Sequence, residues 1–158
     1  MKIFLTGLLG WLIFSNAAVY PHYLTYFNEI AGGPKDGYKW LLDSNYDWGQ
    51  DLTGLKRYMD KNGIGEISLS YFGRGYADYY GIRYEVLPSS MLSTLPWYID
   101  EEGPPPMPKE WTAVSVTHLM GFYLPPKYRY FYEGLRKLEP VARIGNTIYV
   151  YRLASKRG

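Results

Sequence analysis

Residues 38–71 read YKWLLDSNYDWGQDLTGLKRYMDKNGIGEISLSY, and the changes of periodicity inside this stretch decide the fold class. In its middle, Trp48, Leu52, Leu55 and Met59 recur at helical spacing, one apolar stripe of a helix over residues 48–61. Asp47 stands where an N-cap belongs, Gln50 follows as its capping-box partner, and Asn62-Gly63 is a C-terminal stop. Beyond the stop, Ile67, Leu69 and Tyr71 alternate with Ser68 and Ser70, the pattern of a strand. Ahead of the helix, residues 38–42 are a short strand candidate. Strand, helix and strand in this order predict a β-α-β unit with parallel strands and a right-handed crossover.

Working towards the C-terminus, Gly73-Arg74-Gly75 breaks the strand, residues 77–80 suit one helical turn, and residues 84–87 a short strand. Residues 96–108 carry many of the prolines, including Pro104-Pro105-Pro106, and read as a surface loop with polyproline character. Thr112, Val114 and Val116 alternate in a further strand. Pro126 opens a helix to Leu138 with Phe131, Leu135 and Leu138 on one face. Residues 141–144, a Gly145-Asn146 turn and residues 147–153 form a hairpin. There are no internal repeats.

Towards the N-terminus, residues 3–14 are an apolar run interrupted by Thr6, Gly7 and Gly10, extended by Ala17, Ala18 and Val19 and stopped by Pro21. A membrane span needs about 20 residues, so the run is slightly short. A secretory signal needs roughly 7–15 apolar residues and a small-x-small site, which Ser15-Asn16-Ala17 supplies. The third reading is a longer span of which the chain holds the end. All three export the downstream domain, because Lys2 favours a cytoplasmic N-terminus. Residues 22–33 are expected to form a short interfacial helix, with Tyr20, Tyr23, Tyr26 and Phe27 as an aromatic belt. The expected fold class is therefore α/β. A transmembrane helix (residues 1–20) and an interfacial segment (21–37) lead into a small, three-layer-like extracytoplasmic domain (38–158). That domain has a partly parallel sheet and a C-terminal β-hairpin.

Composition sets further bounds. The chain has 158 residues and a formal net charge of +2 with the signs interspersed, which argues against a nucleic-acid partner. Cysteine is absent, so neither a disulfide framework nor zinc-finger spacing exists. Eighteen Tyr suit a membrane interface or a carbohydrate-contacting surface; a Tyr-rich core and rim is the plain alternative.

Polar chemistry is densest in Asp43-Ser44-Asn45-Tyr46-Asp47-Trp48-Gly49-Gln50-Asp51, between a predicted strand end and a helix start, where α/β sheets open to ligands. Three carboxylates there suit sugar hydroxyls or a cation rather than an anion. Asp43, Asn45, Asp47 and Asp51 follow the start of a calcium loop, but Trp48 sits in the glycine position and Gly54 in that of the closing Glu. The structural alternative has Asp47 as cap, Asp43 and Asn45 bonded to the loop backbone and Trp48 in the core. Asp43, Asn45, Asp47, Trp48, Gln50, Asp51 and His118, the last at a predicted strand end, form the candidate substrate-binding set. No catalytic residue is assigned. Neither histidine, His22 or His118, has a metal-ligand spacing, no G-x-S-x-G occurs, and Gly73-Arg74-Gly75 lacks the third glycine of a dinucleotide fingerprint, leaving Arg74 as a turn residue or a phosphate contact.

Three stretches carry a resemblance: YPHYLTYFNEIAGGPKDG (residues 20–37), DSNYDWGQDL (43–52) and EPVARIG (139–145) running into the last strand. They resemble the C-terminal end of bacterial and archaeal GT-C-type membrane glycosyltransferases similar to the dolichyl-phosphate-mannose protein mannosyltransferases, which use a polyprenyl-phosphate sugar as donor. The resemblance covers nearly the whole chain. It implies that residues 3–19 are what remains of a final span and that an upstream bundle of membrane helices is the domain's partner. It also implies that the acidic catalytic residues lie upstream. No cofactor is assigned to this chain beyond the divalent-cation option, and a lipid-linked sugar or glycan acceptor is the expected further partner. The alternatives are a free-standing exported carbohydrate-binding module, with or without calcium, and a purely structural exported domain.

Overall fold

The computed structural model describes residues 1–73, 75–90 and 106–154. The predicted contact at Arg74 and most of the proline-rich loop at 96–108 lie outside the described residues.

The N-terminal run forms α1 (Lys2–Val19), whose side chains are almost all exposed. It is long and apolar enough to cross a membrane, a test that a signal sequence also passes. Only Ser15 and Val19 are buried, at the end that meets the domain.

The domain is a five-stranded mixed sheet in the order β2-β1-β3-β5-β4. Strand β1 (Ile67–Ser70) lies parallel to β2 (Tyr84–Val86) on one side and to β3 (Trp111–Ser115) on the other. The hairpin of β4 (Ala142–Ile144) and β5 (Ile148–Arg152) closes the sheet antiparallel to β3, as its Gly145-Asn146 turn predicts. Alternation sorts the layers. Ala113, Ile148 and Val150 face Leu52, Leu55 and Met59 of α2 (Leu52–Lys61), whereas Val114, Tyr149 and Tyr151 face Tyr46, Tyr132 and Leu135 on the other side. Both faces are covered, and even Ser68 and Ser70 of β1 are buried. Each of the three α2 side chains that are wholly or almost wholly buried contributes about 1.5–3 kcal/mol.

Several expectations are corrected. Residues 38–42 form no strand: one 3-10 turn, Gly37–Lys39, bonds locally through Trp40 N–H to the Gly37 carbonyl. The parallel partners of β1 therefore come later in the chain, and the predicted β-α-β unit does not exist. α2 starts at Leu52 with Asp51 at the N-cap position, not at Trp48 with Asp47. Asp47 instead closes a tight turn onto the Gly49 N–H, and Gly49, at φ +80°, turns the chain out of any helix that would begin at Trp48. Trp48 leaves the stripe and is 61% exposed.

Residues 22–33 are two 3-10 turns, Tyr23–Thr25 and Glu29–Ala31, rather than one helix. Asn28 divides them, because its side chain accepts the Ala31 N–H and competes with helical bonding. Phe27 packs against Tyr46, so it leaves the expected aromatic belt; Tyr20, Tyr23 and Tyr26 stay exposed. The helix predicted over 126–138 breaks into a 3-10 turn (Pro126–Tyr128) and a short α4 (Glu133–Arg136). The third strand ends at Ser115, where a one-turn helix α3 (Val116–Leu119) begins.

Candidate functional site

Strand β1 lies between two parallel neighbours, and the chain leaves its carboxyl end first to one side and then to the other. The 43–51 loop covers the carboxyl ends of β1 and β3, which is where open α/β sheets take ligands. One contact fixes the loop there, and a second ties the two strand ends to each other. Tyr71, just after β1, donates from its hydroxyl to the Gly49 carbonyl at 3.2 Å. Phe72 N–H donates to the Ser115 hydroxyl at the end of β3 at 2.9 Å. A Cβ at Gly49 or Gly73 would collide with the Tyr71 hydroxyl, so both positions exclude other residues sterically as well as by their positive φ.

The loop does not gather its carboxylates. Asp47 is wholly buried; its Oδ1 accepts the Gly49 N–H at 2.8 Å, while Oδ2 has no hydrogen bond of normal geometry. Burial pushes this carboxyl up to about 7, and the Gly49 N–H and the nearby Ser115 hydroxyl only partly oppose it. Such an acid is about half protonated at neutral pH, but with no exposed surface it does not reach a substrate. Asp51 points the other way. It accepts the Thr147 hydroxyl at 2.7 Å, lies 3.5 Å from His22 Nδ1 and fills the space beside Gly145, tying the N-terminal segment to the hairpin turn. Among the described residues no group of three or more His, Asp or Glu is placed to hold a metal ion, so the calcium spacing of Asp43, Asn45, Asp47 and Asp51 is not realised as a coordination set. Gln50 is spent on the loop itself, accepting the Trp48 N–H at 2.8 Å and donating to the Tyr46 carbonyl at 3.2 Å. Trp48 is pinned by its indole N–H to the Ser44 carbonyl at 2.6 Å and stays outward, as does Asn45.

His118 is not ligand-facing. It is fully buried, and burial pulls its pKa down to about 3, so it is neutral. The Ser70 hydroxyl donates its proton to the Pro88 carbonyl, so His118 Nδ1 carries the hydrogen and donates to Ser70 Oγ at 3.0 Å. Nε2 then accepts, and the Ser90 backbone N–H already occupies it at 3.1 Å, with the Ser90 hydroxyl at 3.0 Å. The imidazole joins the ends of β1, β2 and β3; with its acceptor nitrogen engaged by a backbone donor, it is a poor base.

Among the described residues, an open groove of about 620 Å³ lies at the outer edge of the loop, lined by Tyr38, Lys39, Trp40, Leu41, Leu42, Asp43, Met120, Phe122 and Tyr123. A neighbouring recess of about 550 Å³ shares Met120, Phe122 and Tyr123 and adds Arg129, Tyr130 and Arg136. Asp43 (φ +64°) and Tyr123 (φ +58°) are non-glycine residues in left-handed backbone, and they bond to each other, Tyr123 hydroxyl to Asp43 Oδ2, at 2.7 Å. Two such backbone outliers joined across a groove mark a place where the surrounding structure holds strain, a recurrent property of binding sites. Trp40, Phe122 and Tyr123 expose aromatic rings there. Sequence reasoning found Asp43 but missed Trp40, Phe122 and Tyr123. The available signal was Gly121-Phe122-Tyr123-Leu124-Pro125, aromatics between turn residues outside any periodic element.

Compared with known proteins, the chain matches no family model, no curated protein and no solved structure. Fold and site define a class: a mixed α/β domain borne by an exposed apolar helix, with an aromatic, carboxylate-bearing groove beside the switch point of its sheet.

Proposed function

We propose that this chain is the C-terminal, extracytoplasmic end of a membrane glycosyltransferase that uses a polyprenyl-phosphate sugar, and that it is not catalytic by itself. The observation that carries the reading is the union of the apolar helix with the domain. Ser15 of α1 donates to Glu29 at 3.0 Å, Val19 is buried, and Asn146 in the hairpin turn donates to Thr25 at 2.7 Å. A helix bonded in this way to its domain is better suited to a permanent anchor than to a cleaved leader. Asp43, the first residue of the 43–52 stretch that contributes to the resemblance, lies in the wall of the groove. Asp43 and Tyr123 offer hydrogen bonds, and Trp40 and Phe122 offer apolar faces, which is the combination that sugar rings take.

The test compares the purified chain with the same chain joined to its upstream membrane helices, assaying sugar transfer from a polyprenyl-phosphate donor. Transfer by the joined protein alone is expected; turnover by the isolated chain overturns the assignment. The groove's exposed aromatics also favour a second reading, a free-standing carbohydrate-binding module. That reading requires the isolated chain to bind glycans in a manner lost on Trp40→Ala and Phe122→Ala, with no dependence on upstream helices.

A further inference from the structure

We propose that residues 28–31, with Trp40 and Leu41, dock on the lipid bilayer at the boundary of headgroups and hydrocarbon beside α1, holding the domain against the membrane by a second contact. This rests on the reading of α1 as a membrane anchor and on no other part of the proposed function.

After α1 the chain does not lead straight away from the helix; it doubles back. The Ser15 hydroxyl reaches Glu29 Oε1 at 3.0 Å. Ser15 lies four residues before Val19, the end of α1, which is about 6 Å back along the axis at roughly 1.5 Å per residue. The Glu29–Ala31 turn therefore sits beside the last turn of the helix, at the depth of the polar pair Ser15-Asn16 within the apolar run. It is held rigidly, with Asn28 Oδ1 accepting the Ala31 N–H at 2.9 Å and Gly32 closing the turn at φ +90°.

Ile30, at the centre of this turn, is 97% exposed. Trp40 is bonded to the same place, its indole N–H donating to the Ala31 carbonyl at 2.8 Å, and it is 65% exposed with Leu41 next to it at 50%. Tyr20, Tyr23 and Leu24 continue the exposed apolar surface around the end of α1. Two chain segments thus bring branched aliphatic and indole side chains to one edge that is continuous with the exposed apolar surface of α1. That continuity selects lipid as the occupant. Indole and phenol rings favour the interface, where one end is apolar and the other wet.

Charge fits the same depth. Lys35 borders a recess of about 310 Å³ together with Ala18, Val19 and Tyr20 at the helix end, where lipid phosphates lie. Glu29 keeps its carboxylate in the headgroup layer, with one oxygen taken by Ser15. Because Trp40 also lines the groove, the groove opens beside the bilayer surface.

The chain has no cysteine, so a single introduced cysteine gives a unique spin label. Labels are placed by Ile30→Cys, by Ile13→Cys within α1, and by Tyr79→Cys on the turn packed against α2. The full chain is reconstituted in nanodiscs of phosphatidylcholine and phosphatidylglycerol, and collisions with oxygen and with a water-soluble nickel chelate are compared. The Ile30 label is expected to favour oxygen over the chelate several-fold, as the Ile13 label does, with the Tyr79 label reversed. An Ile13 label in lipid with an Ile30 label in water overturns the docking and leaves the anchor standing; an Ile13 label in water overturns both. An Ile30 label shielded from both reagents shows a protein partner on this edge and overturns the lipid assignment.

Discussion

Two buried titratable groups, Asp47 and His118, pull the stability of this domain in opposite directions with pH, and separating them tests the interior directly. Asp47 has its folded pKa raised from 3.8 to about 7. Between those values the folded state binds more protons than the unfolded one, so stability rises as pH falls from about 7 towards 4. The whole difference is worth on the order of 4 kcal/mol, at about 1.4 kcal/mol per pH unit. His118 has its folded pKa lowered from 6.5 to about 3, so its contribution is complete above 6.5 and is lost as pH falls. Between pH 6.5 and 4.5 the two slopes are equal and opposite, and the wild-type chain should show little change from them. Asp47→Asn keeps an acceptor for the Gly49 N–H and turns an amide towards Ser115, while removing the titration. The variant should be more stable than wild type at pH 8 and should then lose on the order of 3 kcal/mol from pH 6.5 to 4.5, the unopposed His118 term. His118→Gln should start lower, because Ser70 and Ser90 lose partners, and should gain by a similar amount over the same range. The measurement is denaturant unfolding in an uncharged detergent at a series of pH values, followed by near-ultraviolet circular dichroism. Surface carboxylates are common to all three proteins and cancel in the differences. Parallel profiles for wild type and Asp47→Asn would refute the assignment of a buried Asp47 with a raised pKa.

Glycine positions give a second test: Gly145→Ala drives a methyl into the Asp51 carboxylate, whereas Gly63→Ala, at similar φ, meets nothing within 4 Å. The second should cost about 1–2 kcal/mol from left-handed backbone alone and the first clearly more; equal losses in unfolding experiments would contradict the packing around Asp51. Asp43→Asn preserves both the left-handed backbone and an acceptor for Tyr123, so it should leave the melting temperature nearly unchanged while lowering sugar transfer in the protein joined to its upstream helices. Asp43→Ala should in addition lose about 1 kcal/mol of stability, measured in the same unfolding assay. Removing residues 1–20 should keep the domain in the supernatant without detergent, and aggregation of the shortened chain after high-speed centrifugation would count against α1 as the principal lipid-seeking element.

The layers of the fold were legible because they obey simple periods. The alternation of Ile67 and Leu69 with two serines, the alternating pairs Ala113/Val114 and Ile148/Tyr149, and the stripe Leu52-Leu55-Met59 all name the side of the sheet they occupy. Strand adjacency was not legible. Residues 38–42 have the aromatic and leucine content of a strand, but nothing in them says whether their N–H groups will find a neighbouring strand. They find the Gly37 carbonyl instead, and the search for the parallel partner of β1 then lands on segments far downstream. Trp48 failed for a related reason. It sits in helical register with Leu52, but register counts only inside a helix, and the turn from Asp47 to Gly49 ends the helix before it.

The candidate site shows the same division more sharply. Asp43, Asp47 and Asp51 are evenly spaced in the sequence, which made them look like one constellation facing one ligand. Direction in space, however, depends on the backbone angles between them, and here one residue at φ +64° and one glycine at φ +80° turn successive carboxylates apart. Asp43 goes to the groove, Asp47 to the interior and Asp51 to the hairpin turn. Residue type could not assign these fates, because an aspartate serves equally as an exposed ligand, a buried turn-former and a cross-link. What does separate them is the partner each one finds. Asp47 and Asp51 are held within the domain by the Gly49 N–H and the Thr147 hydroxyl, so they shape the loop. The Asp43 carboxylate instead lies at the groove, bonded to a tyrosine on another strained turn, and that makes it the carboxylate to test first against a sugar.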